Sequence, residues 1–165
     1  MTYDAFISDY LKKGFLKKQK IAMNAIERLL SRSVKDLKTA KANLKIDEGI
    51  AYTVAYLAML RAGRAFMLLR GFRPSDGFQH KTVVEFIREA LGKEYGSIID
   101  RFDRMRRKRN FFTYEIDITI SQTEAIGALR SAENFVLLMI DRAKEESPQG
   151  QFKFSSPNSQ LQAPN

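Results

Sequence analysis

The stretch Ile50-Ala51-Tyr52-Thr53-Val54-Ala55-Tyr56-Leu57-Ala58-Met59-Leu60 carries no charge and is apolar on every side of a helix. Such a segment must be surrounded by protein or by lipid. It is only about half the roughly 20 residues that cross a bilayer, and it runs into Arg61, Arg64 and Arg70. The segment therefore reads as the central helix of a bundle. Ala51, Ala55, Ala58, Ala62 and Ala65 alternate with large residues along it and let neighbouring helices come close. Asp47 is placed to cap its start, and Gly71 stands where a left-handed residue usually closes a helix.

Amphipathic helices surround this segment in the sequence. A short one is expected over 4–11, ending at Gly14. A long one is expected from about Lys18 to Leu44, its stripe made of Ile21, Ala25, Ile26, Leu29, Leu30, Val34, Leu37, Ala40 and Leu44 at spacings of three and four. Arg73-Pro74-Ser75-Asp76-Gly77 has the chemistry of a turn. A third helix spans Lys81 to Leu91, and a fourth begins near Lys93 with Tyr95, Ile98, Ile99, Phe102 and Met105 on one face. Ile116-Asp117-Ile118-Thr119-Ile120 alternates like a strand but is short and unpartnered, so it is expected to be an extended connection. Ser121-Gln122-Thr123-Glu124 is a capping box opening a last helix, whose buried stripe runs from Ile126 to Ala143. These elements make an all-α chain of four to five helices, with one domain over 1–146. A polar tail over 147–165, rich in Ser, Pro, Gln and Asn, is expected to be disordered.

The chain of 165 residues has 28 basic and 19 acidic side chains, a formal charge of +9, which favours an anionic partner: RNA, DNA, a nucleotide or an acidic protein. It has no cysteine, which excludes disulfides and thiolate metal sites. The first residues lack the basic region and apolar run of a secretory signal, and the expected location is the cytoplasm. His80 is the only histidine. It is expected in a loop, as a helix-start or packing residue, because a metal site would need further ligands. No phosphate-cradling glycine loop is present. Glu85 with Glu89, and Asp100 with Asp103, read as solvated or salt-bridged pairs. Neither a metal nor a cofactor is called for.

The basic run is different. Arg101, Arg104, Arg106, Arg107, Lys108 and Arg109 fall within nine positions. Helical spacing pairs Asp100 with Arg104 and Asp103 with Arg107, which leaves Arg106, Lys108 and Arg109 without partners. Guanidinium groups bind phosphate bidentately. Asn110, Phe111, Phe112 and Tyr114 follow directly, adding an amide and stackable rings, the side chains used for single-stranded RNA or nucleotides.

Four segments, Asp36–Lys41, Ala51–Ala65, Arg70–Pro74 and Phe102–Asn110, taken in order and spacing, resemble the successive helices of HEPN domains over residues 8 to 145. The resemblance implies an up-and-down bundle, commonly a homodimer, often partnered by a minimal nucleotidyltransferase in toxin–antitoxin pairs. Many HEPN proteins are metal-independent ribonucleases. Their hallmark is an arginine, a polar residue, three variable residues and a histidine. Arg109 and Asn110 match, and Tyr114 occupies the histidine position. A phenol holds its proton at neutral pH and makes a poor base. The expectation is thus a binding groove over Arg104–Tyr114, taking RNA, a nucleotide or a nucleotidyltransferase partner. Its phosphate contacts would be Arg104, Arg106, Arg107, Lys108 and Arg109. The alternative is a ribonuclease using Arg109, Asn110 and Tyr114.

Overall fold

The computed structural model describes residues 1–75, 77, 79–115, 117–148 and 152. Its helices are α1 (Tyr3–Lys12), α2 (Met23–Asn43), α3 (Glu48–Leu69), α4 (Gln79–Leu91), α5 (Gly96–Tyr114) and α6 (Gln122–Glu146). Two three-residue strands, β1 (Leu16–Lys18) and β2 (Phe72–Pro74), form a small antiparallel ribbon with Lys17 opposite Arg73. The architecture is a helical bundle organised around α3, which packs most extensively against α2 and α6 and also meets α4 and α5.

The central position of α3 follows from its composition. Ala51, Ala55, Ala58, Ala62 and Ala65 are buried, as are Tyr52, Tyr56, Met59, Phe66 and Met67 between them. Asp47 accepts a hydrogen bond from the Ile50 amide at 3.0 Å and opens the helix, and Gly71 closes it at φ +83°. At Gly63 the approach of α4 is so close that a Cβ would lie 2.8 Å from Val83 Cγ1. Near the other end, Phe112 of α5 rests on the first turn of α3, where a Cβ on Gly49 would lie 2.3 Å from the ring. Side chains at either position would push helices apart.

Charge joins the helices at a few points. Buried Asp36 of α2 pairs with Arg61 of α3 and, at 3.2 Å, with Arg32. Arg70 holds Glu146 with two hydrogen bonds, 2.6 and 2.7 Å, tying the ends of α3 and α6. The capping box is present as expected: Ser121 Oγ accepts from the Glu124 amide at 3.1 Å, and Glu124 Oε2 accepts from the Ser121 amide at 2.8 Å.

Four local expectations are corrected. The long second helix begins at Met23 rather than Lys18, because Leu16–Lys18 pair as a strand with buried Leu16 as anchor. Its partner takes in Arg73 and Pro74, which were expected to turn; the Ser75 amide then donates to the Phe15 carbonyl at 3.0 Å. A pairing of three residues across more than fifty positions leaves no periodicity in the sequence. Residues 93–95 form a 3-10 turn before α5 starts at Gly96. Ile21, expected in the buried stripe, is half-exposed because it precedes α2. The expected tail over 147–165 lies outside the described residues except for Ser147, Pro148 and Phe152, and Phe152 packs against the core. Among the described residues no helix is long and apolar enough to cross a membrane.

Candidate functional site: a basic pocket between two helices

Helix α5 buries Ile99, Phe102 and Met105 and offers the rest of its surface to solvent. At 3.6 residues per turn, Arg106, Arg109 and Asn110 share one flank of it. They face the start of α4, and together with Gly77, Gln79, His80 and Lys81 they line an open pocket of about 340 Å³. His80 therefore lies in the first turn of a helix rather than in a loop, directly across from the basic run. The expected loop position is thereby corrected, and the expected helix start is borne out.

His80 Nδ1 is 2.8 Å from the hydroxyl of Tyr56, which is fully buried in α3. A neutral imidazole carries one proton. When Nδ1 holds it, Nδ1–H donates to the tyrosine oxygen and Nε2 keeps a free lone pair. When Nε2 holds it, the tyrosine O–H donates to Nδ1. The hydroxyl satisfies both tautomers. Burial lowers the His80 pKa below the usual imidazole value, and Arg109, Arg64 and Arg106 lower it further by repelling a second cation. Near pH 7 the ring is neutral. Burial also drives the Tyr56 phenol well above its ordinary range, against the opposing pull of Arg109 and Arg106, so it remains a neutral hydrogen-bonding group.

The arginines are positioned differently. Arg106 is held by Asp103 at 2.8 Å with its side chain 15% exposed, and the same carboxylate takes Arg107. Burial raises the Asp103 pKa, but the hydrogen bonds from Arg107 and Arg106 outweigh it and leave the carboxyl below its usual value. Arg109 has no carboxylate partner among the described residues. Among the described residues its buried Nε has no hydrogen-bond partner, and its Nη1 donates to Asn110 Oδ1 at 3.5 Å. An unpaired guanidinium in a pocket that also holds Arg106, Lys81 and an imidazole is suited to a phosphate or another polyoxyanion. Among the described residues no cluster of three or more histidine, aspartate or glutamate side chains is placed to hold a metal ion.

The expected site residues are thus only partly gathered. Arg106, Arg109 and Asn110 are in the pocket. Arg107 is exposed and tied to Asp103. Arg104 and Lys108 lie on the opposite flank of α5, and Lys108 pairs with Glu124 of α6. Tyr114 does not line the pocket and is 80% exposed at the last position of α5. Two of the three residues expected to be unpaired, Arg106 and Lys108, have carboxylate partners; the expected Asp100–Arg104 pair is replaced by Asp100–Arg88 at 2.8 Å, while Asp103–Arg107 forms. Sequence reasoning missed Tyr56, Gln79, His80 and Lys81 as site residues. Their one advance signal was that the chain's single histidine follows a glycine-containing turn and opens a helix. Compared with models of known protein families and with curated proteins, the chain matches none.

Proposed function

We propose that this chain is a HEPN-type helical bundle that binds the phosphates of single-stranded RNA, with His80, Arg106, Arg109 and Asn110 as the phosphate site. The observation that carries this reading is Arg109, without a carboxylate partner among the described residues, in a pocket lined by further cations and an imidazole. Exposed Phe111 and Tyr114 stand just beyond the pocket on the same helix and offer rings on which bases can stack. The helix order and the Arg109-Asn110 match to the HEPN motif support the family reading. A labelled oligoribonucleotide followed by fluorescence anisotropy tests it. Affinity falls steeply as salt rises, and Arg109→Ala weakens binding at least tenfold. Binding that is absent, insensitive to salt or unaffected by Arg109→Ala overturns the reading.

A second reading, metal-independent RNA cleavage, is favoured by one observation: His80 is held neutral beside Arg109. With the proton on Nδ1, His80 Nε2 accepts the proton of a ribose 2′-hydroxyl as its oxygen attacks the adjacent phosphorus. The 5′-oxygen leaves and takes a proton from solvent, and Arg106 and Arg109 neutralise the developing charge. In the presence of a chelator, His80→Ala abolishes cleavage and leaves binding within a fewfold of wild type. RNA that stays intact over hours eliminates this second reading alone.

A further inference from the structure

The basic run is continuous in sequence but divided in space. Arg101, Arg104 and Lys108 lie roughly half a turn around α5 from Arg106. There, with Arg130 of α6, they border a second open pocket of about 410 Å³ between α5, α6 and α3. It is lined by four cations and one carboxylate, Glu124, which is committed to Lys108 and to the Ser121 amide. Arg101, Arg104 and Arg130 are exposed and have no ion-pair partner among the described residues. The pocket is also lined by two hydroxyl-bearing residues, Tyr52 and Ser131. Tyr52 is 5% exposed and Ser131 4% exposed, yet neither makes a hydrogen bond among the described residues. The two hydroxyls line the pocket beside guanidinium groups that have no ion-pair partner among the described residues, and can donate to an incoming oxyanion. Burial pushes the Tyr52 phenol up to about 12, with Glu124 adding to that rise and Arg104 opposing it, so the group keeps its proton to donate. Gly127 leaves open space in the lining where a larger side chain would stand.

We propose that this second pocket, built by Tyr52, Arg101, Arg104, Arg130 and Ser131, is a separate phosphodiester site, so that a single RNA strand crosses α5 with one phosphate seated on each flank. The proposal rests on the RNA-binding reading of the first pocket and extends it to a two-site saddle. Between the two pockets lies the exposed ridge of Arg107 and Phe111, over which the intervening nucleotides would pass.

The test is binding of a ten-nucleotide oligouridylate, measured across a salt series with the full chain. Arg104→Ala combined with Arg130→Ala weakens binding at least tenfold. It also flattens the dependence of log affinity on log salt by about 0.7, the contribution of one phosphate contact to a single strand. Both arginines are exposed, so the circular dichroism spectrum and melting temperature of the variant stay those of wild type. The control pair Lys38→Ala and Lys41→Ala removes the same charge from the exposed face of α2 and changes affinity less than twofold. If Arg109→Ala weakens binding but the Arg104/Arg130 pair does not, the second site is overturned and the first stands. If the lysine pair costs as much as the arginine pair, net charge alone is acting and the second site is overturned. If wild type binds no RNA, both readings fall together.

Discussion

The hydroxyl of Tyr56 lies 2.8 Å from Nδ1 of His80 and joins the middle of the central helix to the first turn of α4. Because His80 is the only histidine in the chain, its ring protons give one unambiguous titration curve by NMR. The curve is expected to have its midpoint below the ordinary imidazole value. Arg109→Ala removes a repelling cation and moves the midpoint up. A midpoint at or above about 6.5 would show that the ring is solvated and its place against Tyr56 lost in solution.

Removing the Tyr56 hydroxyl leaves the imidazole without its core partner. Tyr56→Phe is expected to destabilise the fold by about 1–2 kcal/mol, the cost of an unsatisfied, partly buried polar group, read from urea unfolding. Cleavage, where present, slows more than binding weakens, because the ring loses its orientation rather than its charge.

The lowered pKa also sets a pH dependence with a definite sign. In the folded protein His80 resists protonation, so the unfolded chain takes up its proton first as pH falls through about 6.5. The stability associated with the neutral ring is complete above that value and is lost as pH falls towards the lower folded pKa. His80→Gln removes this part of the slope. A bound phosphate reverses the preference, since it favours the imidazolium. RNA affinity is therefore expected to rise as pH falls from 7.5 to 5.5, and to lose that rise in His80→Gln.

Tyr114 lies outside the pocket and is largely exposed. Tyr114→Phe is expected to leave RNA affinity and any cleavage within twofold of wild type. A variant that binds normally but loses cleavage would return the chemistry to Tyr114 and remove it from His80.

Two contacts between helices support the bundle that carries the site. Gly49→Ala places a methyl where the Phe112 ring now sits. It is expected to cost about 1–3 kcal/mol, as overpacking does, and to fray the last turn of α5. Gly49→Ala combined with Phe112→Ala recovers part of that loss. At Asp36, which is buried, Arg61→Ala leaves the carboxylate with Arg32 alone. An expected loss of about 2–3 kcal/mol lies just under the range for fully buried pairs, since Arg61 is partly solvated. Both values are read from denaturant midpoints.

The sequence by itself determined the elements that depend on neighbours three or four residues apart. The charge-free run Ile50–Leu60 could only be a central helix, and the capping box at Ser121 and Glu124 and the glycine at 71 mark helix ends through contacts within one turn. Counting along the helix also singled out Arg109 as unpaired, but the same count failed for Arg106 and Lys108, which have carboxylate partners. Only the tertiary structure decided what depends on rotation and approach between elements. Whether Arg104 and Arg106 face one pocket or two depends on which sides of α5 the neighbouring α4 and α6 take up. The three-residue ribbon that joins Lys17 to Arg73 depends on the path of the chain around α3. The meeting of His80 with Arg109, and with Tyr56 beneath, depends on how closely α4 packs at Gly63. Sequence spacing specifies the face of one helix, and the facing partner is set by packing energies summed over the whole core.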